Sequence, residues 1–231
     1  MDLRYEARRN VSIYAADLIE RCIGCTIAIG SGSTVKILID ELTKKGIINK
    51  FRYISTSIDT TLYLRKAGAR DIESGICPGD IDIYVDSADE IDPKLNLLKG
   101  GGGALFREKI AMLSSNRRII IADETKLVER LGSTRAVPLE VEIYAISYVL
   151  KEIERLGYRV KYRETEGKLG PLISDNGNVL IDVYTGPIED PVSIDKLLKN
   201  IEGVITTGIF PYMDYEVVIG RLSGAIDILK R

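Results

Sequence analysis

TIAIGSGSTVKILIDELTKK, residues 26–45, is the stretch that decides the fold. A short apolar strand (26–29) breaks at Gly30-Ser31-Gly32-Ser33-Thr34, and residues 34–44 then read as a helix. A strand, a Gly/Ser loop and a helix form the opening half of a βαβ unit. Working outward, residues 4–21 carry Tyr5, Val11, Tyr14, Ala15 and Leu18 at helical spacing. Downstream come a strand at 51–55, a helix at 60–67, a strand at 81–85, a helix at 104–114 and a strand at 118–122. In the 81–85 strand, Asp82 and Tyr84 alternate with Ile81, Ile83 and Val85, which predicts that it is half-buried. Regular alternation of this kind predicts a parallel sheet covered by helices on both faces.

The pattern changes after residue 131. Strand (139–143), helix (145–156), two strands (158–163 and 179–184), helix (191–201) and strand (204–209) give the order βαββαβ, with Asp175-Asn176-Gly177-Asn178 as a turn favouring positive φ. The expected architecture is α/β: a Rossmann-like parallel-sheet domain (1–130 plus 208–231) and a smaller ferredoxin-like α+β domain (131–207). A last strand at 216–219 is expected to rejoin the first domain.

Composition narrows the chemistry. The 231 residues are 45% hydrophobic and 29% charged, ordinary globular usage, and the net charge of -2 creates no general field for nucleic acid or acidic membrane. No apolar run approaches the ~20 residues needed to span a bilayer. The N-terminal MDLRYEARRN has no signal-type apolar core, so a cytoplasmic location is expected. With no His, acid–base work falls to carboxylates, Lys, Tyr or Cys, and a His-ligated metal is excluded. Three Cys make no full disulfide framework. Cys22-x-x-Cys25 closes a helix and precedes a strand, the reverse of a redox motif, so these two residues are expected as small buried apolar groups.

Five segments carry candidate chemistry. Gly30–Thr34 places hydroxyls and backbone N–H groups at a helix start, which suits a phosphate or, more simply, a capped turn. It lacks the Gly-Lys-Ser/Thr of a nucleotide loop, and Val35 breaks the dinucleotide pattern. Ser55–Thr60 offers either a ligand contact at a strand end or a helix cap by Asp59 or Thr60. Asp86-Ser87-Ala88-Asp89-Glu90 crowds carboxylates at a strand end and reads as a sugar, Mg²⁺ or solvated acidic loop. Lys99 followed by Gly100–Gly103 suits a backbone that wraps a ligand or another loop, with Glu108 in the helix behind it. Lys126 closes Asp123-Glu124-Thr125-Lys126 at a fourth strand end.

Together the segments GSGST, TSIDT, DSADE, KGGGGALFREK and ADETK, in that order, resemble the ribose-5-phosphate isomerase type A family. The resemblance extends through DNGNVLID (175–182) to GVITTGIF (203–210). It implies an aldose–ketose isomerase of the non-oxidative pentose phosphate pathway, with a sugar phosphate as ligand, no cofactor and no metal. It implies Glu108 as the base, Lys99 and the N–H groups of Gly100, Gly101 and Gly102 at the developing oxyanion, and Asp86 and Asp89 on the sugar hydroxyls. Ser31, Gly32, Ser33 and Thr34 would seat the phosphate, while Ser87, Ala88 and Lys126 would complete the substrate contacts. It also implies a homodimer or homotetramer. Ser31 and Ser87 stand where the family has Thr and Gly, and Ser87 would disturb its loop if the backbone there needs positive φ. Arg8 and Arg9 both remain open as the N-terminal basic contact. A non-catalytic sugar-phosphate sensor and a CoA-transferase-like enzyme are the rival readings on the same architecture.

Overall fold

The structure is a computed structural model that describes residues 2–167 and 169–230. Met1 and Arg231, the outer limits of the first expected domain, lie outside them. In chain order the elements are α1 (Leu3–Glu20), β1 (Thr26–Ile29), α2 (Ser33–Lys44), β2 (Arg52–Ser55), α3 (Ile58–Lys66), β3 (Ile72–Glu73), β4 (Ile81–Asp86), β5 (Glu90–Ile91), β6 (Leu97–Leu98), α4 (Leu105–Leu113) and β7 (Ser115–Asp123). They continue as β8 (Val137–Val141), α5 (Ile146–Arg155), β9 (Arg159–Tyr162), β10 (Val179–Tyr184), α6 (Pro191–Lys199), β11 (Val204–Thr207), β12 (Ile209–Phe210), β13 (Glu216–Gly220) and β14 (Ile226–Leu229).

Packing divides the chain into two units. The first holds the residues up to Ala88, Arg107–Lys126 and those from Asp214 on. Its seven-stranded sheet runs β14-β13-β7-β4-β1-β2-β3, parallel except for the β13–β14 hairpin. Ile119 and Ile121 of β7 join α1 and α2 in one core, while Ile120 and Ala122 face the other way and are equally buried. Both faces are therefore covered, as a parallel sheet requires. The same cover corrects the expectation for β4. Tyr84 is fully buried and only Asp82 is exposed, because β4 lies between β1 and β7 at the centre of the sheet. Strand order reverses between the parallel neighbours β1 and β4, with β2 and β3 following on one side and β7 and β13 on the other, so the loops after those two strands diverge and leave the crevice where such sheets bind ligands.

Local chemistry sets the helix starts. Asp2 caps α1 by accepting from the N–H groups of Arg4 and Tyr5. Ser57, rather than Asp59 or Thr60, caps α3, its hydroxyl oxygen accepting from Thr60 N at 3.0 Å. Asp59 instead pairs with Lys36 at 2.9 Å. Cys22 and Cys25 are also corrected: they are half-buried and joined as a disulfide across the turn between α1 and β1. Two intervening residues, one of them Gly24 at φ +91°, bring their Cα atoms to 5.6 Å, within disulfide reach.

The second unit holds Asp89–Phe106 and Leu127–Met213. Its four-stranded antiparallel sheet has the order β11-β8-β10-β9 in a βαββαβ chain, the ferredoxin-like arrangement. Val137, Leu139, Val141, Val179, Ile181 and Val183 alternate onto one face and form its core with Val149, Ile153 and Leu198 of the helices. On the opposite face Glu140 is fully buried and accepts hydrogen bonds from Ser174, Asn176 and Asn178, which ties down the predicted turn. Residues 89–106, expected in the first domain, pack here because β5 and β6 form a three-stranded sheet with β12. The apolar run at 204–209 is split for the same reason: 204–207 pairs with β8, and Ile209–Phe210 pairs with β6.

Candidate active site

In the first unit the ladder between β1 and β4 runs one step past the strand, with Gly30 N–H donating to Val85 O at 2.9 Å. That step lays Gly30 against Asp86 so closely that a Cβ at residue 30 would fall within the Asp86 carboxyl group. Only glycine fits there. Asp86 is buried, and its Oδ1 accepts from the N–H groups of Ser31 (3.1 Å) and Ser87 (2.7 Å). Its Oδ2 accepts from the hydroxyl of Tyr84, two residues back on the same face of β4, at 2.5 Å. Burial, with the charges of Asp86 and Glu108, raises the Tyr84 hydroxyl well above its ordinary pKa, so it stays protonated and donates. Tyr84 is a functional neighbour that the strand pattern concealed.

Glu108 lies in the first turn of α4, where the helix dipole favours negative charge, and is buried. Its Oε1 accepts from Ser31 Oγ at 2.7 Å. Ser31 therefore bridges two buried carboxylates, Asp86 through its N–H and Glu108 through its hydroxyl. The sequence had placed Ser31 with the phosphate-seating hydroxyls. In the structure its hydroxyl donates to Glu108, and Gly32–Thr34 carry the loop on into α2. Gly32 begins α2 with no side-chain cap, so the first N–H groups of this 12-residue helix are not occupied by a capping side chain. Arg8 reaches this helix start and donates from Nη1 to Ser33 Oγ at 3.0 Å. Arg9 is turned to Glu41 and Glu6. Of the two arginines left open by the sequence, Arg8 is the one at the loop.

The segment at 55–60 supports this loop. Thr60 Oγ1 donates to Gly30 O at 2.8 Å, and Thr56 N–H to Ile29 O at 3.2 Å. At the end of β7, Asp123 accepts from Thr125 and from Arg4. Burial pushes the Asp123 carboxyl up, but the Thr125 hydroxyl and the Arg4 guanidinium more than offset that and hold it below the usual carboxylate range. Lys126 closes the 3₁₀ turn that follows and is half-buried. Ser87 is not among the non-glycine residues with positive φ, so serine is accommodated where the family has glycine. Ala88, buried, ends this unit's part of the segment.

The second unit holds the other motif residues. Asp89 Oδ2 accepts from Gly101 N–H at 2.8 Å, and a Cβ on Gly101 would come within 2.8 Å of Asp89 Oδ1. The glycine run thus lets the loop close on Asp89. Lys99 is buried, its backbone N–H donates to Gly208 O at 2.8 Å, and its ammonium lies 5.7 Å from the centre of the Phe210 ring. Glu90 has a structural task that the motif did not reveal. Fully buried, it accepts from the N–H groups of Gly132, Thr134 and Arg135 and from the Thr134 hydroxyl. Among the described residues, no cluster of three or more His, Cys, Asp or Glu suits a metal ion, and no helix is long and apolar enough to cross a membrane.

Comparison with known proteins agrees over most of the chain. The sequence profile of the family described as ribose 5-phosphate isomerase A (phosphoriboisomerase A) matches residues 52–224. A ribose-5-phosphate isomerase A of Korarchaeum cryptofilum is 44% identical over 199 residues, 85% of this chain and 86% of the relative. The structure of ribose 5-phosphate isomerase A from Methanocaldococcus jannaschii superposes with a TM-score of 0.90 at 32% identity, covering 99% of this chain and 100% of that one. A D-ribose-5-phosphate isomerase in complex with phospho-erythronic acid superposes with a TM-score of 0.86 at 34% identity, covering 97% and 98%.

Proposed function

Since the chain belongs to the ribose 5-phosphate isomerase A family, we propose that Glu108 is the base of its reaction, the interconversion of D-ribose 5-phosphate and D-ribulose 5-phosphate. The protein is an aldose–ketose isomerase. The reaction removes a proton from C2 beside the carbonyl and returns it at C1 through an enediolate, while the hydroxyl proton passes between the two oxygens. A C–H beside a carbonyl is a weak acid, so the base must be close and the enediolate must be stabilised. A carboxylate suits the task because one oxygen can serve both carbons in turn. The observation that carries this reading is the buried group Glu108–Ser31–Asp86 at the crevice between β1 and β4.

Within that group Ser31 fixes the Glu108 carboxylate, and Asp86, held by Tyr84, takes the sugar hydroxyls and assists ring opening. Gly32, Ser33 and Thr34 seat the phosphate at the start of α2, with Arg8 supplying charge. Lys99 and the N–H groups of Gly100 and Gly102 stabilise the enediolate, and Asp89 holds a further hydroxyl; these roles come from the family motif, which also assigns the Gly101 N–H to the oxyanion, whereas here that N–H donates to Asp89. Ser87, Ala88 and Lys126 contact the substrate on the same grounds. Ketose formation from ribose 5-phosphate, set against unphosphorylated ribose, tests the substrate. Arg8→Ala is expected to raise KM for ribose 5-phosphate about tenfold with a smaller change in kcat, and to flatten the salt dependence of KM. An unchanged KM would remove Arg8 from the phosphate site. A cytoplasmic homodimer or homotetramer is proposed on the family likeness, and a solution mass equal to the 25.6 kDa chain would exclude it.

A further inference from the structure

Arg163, one residue beyond β9, belongs to none of the motifs, yet its side chain holds two successive carbonyls of the glycine loop. Its backbone is fixed on both sides, with N–H donating to Leu180 O at 2.8 Å and the carbonyl accepting from Leu172 N–H at 2.7 Å. Its guanidinium forms a two-point pair with Asp182 of β10, Nε to Oδ2 at 2.9 Å and Nη2 to Oδ1 at 2.5 Å. The remaining nitrogen, Nη1, donates to the carbonyl oxygens of Gly100 (3.0 Å) and Gly101 (3.1 Å). All of these residues lie in the second unit.

The consequence follows from peptide geometry. No peptide bond is cis among the described residues, so each carbonyl points away from the N–H of the next residue. Holding the Gly100 and Gly101 carbonyls on Arg163 turns the N–H groups of Gly101 and Gly102 to the opposite side of the loop. There Gly101 N–H already meets Asp89. The Gly100 carbonyl also accepts from Gly103 N–H at 3.0 Å, which closes the turn around the same two peptides. Four successive glycines have no conformation of their own to prefer. An outside group must choose one.

We propose that Arg163, anchored by Asp182, is a positioning residue that orients the Gly102 N–H toward the enediolate oxygen while the Gly101 N–H stays on Asp89. The proposal rests on the isomerase reading above. A lysine cannot replace it, because one ammonium cannot grip a carboxylate at two points and still reach two carbonyls. The interactions of the loop with the reacting oxygen strengthen in the transition state, so loosening it lowers kcat and leaves KM nearly unchanged.

The test uses the full chain with Arg163→Ala and Arg163→Lys, read by steady-state kinetics on ribose 5-phosphate and by amide hydrogen exchange across residues 99–106. Arg163→Ala is expected to lower kcat about 10- to 100-fold with KM within about threefold, a part of what a lost oxyanion donor costs. Exchange at Gly101 and Gly103, whose N–H groups are hydrogen-bonded to Asp89 and to Gly100, is expected to rise at least about tenfold, and millimolar guanidinium to restore part of kcat. Arg163→Lys falls between the two and carries the test if the alanine variant does not fold. A kcat within about threefold of the parent, or unchanged exchange in the loop, overturns the proposal while the isomerase reading stands. An equal loss through KM without rescue by guanidinium also overturns it, since that is the mark of a merely structural residue. A parent protein that fails to isomerise ribose 5-phosphate overturns the family reading, and the catalytic part of this proposal with it, whatever the exchange data give.

Discussion

Glu108→Gln is expected to lower kcat by about a thousandfold or more while KM stays within about threefold, as measured by steady-state ketose formation. The substitution is close to isosteric. The amide oxygen still accepts from Ser31 Oγ, now at 2.7 Å from Glu108 Oε1, so the loop after β1 keeps its support. What is lost is the basic oxygen. Substrate binding uses the phosphate and hydroxyl contacts, which the amide leaves in place, and the loss is therefore confined to the proton-transfer step. A variant that keeps more than about a tenth of the parental kcat would show that another group moves the proton.

Gly30→Ala is expected to be nearly as damaging, through packing and not through chemistry. The added methyl group falls in the space of the Asp86 carboxyl, which is buried and held by Tyr84, Ser31 and Ser87. Either Asp86 leaves its donors or the loop after β1 moves off β4 and breaks the Gly30–Val85 bond. Overpacking a tight site costs about 1–3 kcal/mol, and stranded buried donors add about as much again. Thermal unfolding is thus expected some 5–15 °C lower for a chain of this size. In the protein that remains folded, kcat is expected to fall at least about a hundredfold, because Ser31 and with it Glu108 lose their placement. Gly79→Ala is the control: nothing lies within 4 Å of a Cβ there, and its melting point and kcat are expected to match the parent. Full stability in Gly30→Ala would mean that Asp86 does not sit as described.

The parts of this molecule that were legible in the sequence are those with a repeating signal. Strand and helix alternation announced the parallel sheet, and the βαββαβ order announced the second one, because periodicities of two and 3.6 survive in any run of five or more residues. The strands Ile72–Glu73, Glu90–Ile91 and Leu97–Leu98 are too short to show a period. The packing of residues 89–106 with the second unit depends on those short pairings and was invisible for that reason. Ile226–Leu229 was missed because it is a four-residue hairpin partner at the sheet edge with no buried position to set a period of two. Tyr84 shows a different limit: a polar residue on a strand reads as solvent-facing until its partner is known, and Asp86 lies only two positions away on the same face.

The site divides in the same way. Glycine runs and clustered charge mark a loop as unusual, so Gly30–Thr34, Asp86–Glu90 and Lys99–Gly103 were found. Sequence order does not say which partner each side chain meets. Ser31 bonds to Glu108 across 77 positions, Glu90 to Gly132 across 42, and Arg163 to Gly100 across 63. Arg163 had no local signal at all, since an arginine at a strand end is ordinarily a surface charge. Cys22 and Cys25 carried their spacing openly, but whether two thiols at that spacing join depends on the turn between them.

The most direct test of the central claim, that Glu108 carries the proton, is a proton NMR time course of ribose 5-phosphate in D₂O with EDTA, run on the parent protein and on Glu108→Gln. The expected result is ribulose 5-phosphate formed by the parent, with neither conversion nor solvent deuterium in the recovered sugar for the variant over the same period. Conversion by Glu108→Gln at the parental rate would contradict the assignment of the base. No conversion by the parent, with or without an added divalent metal, would contradict the isomerase itself.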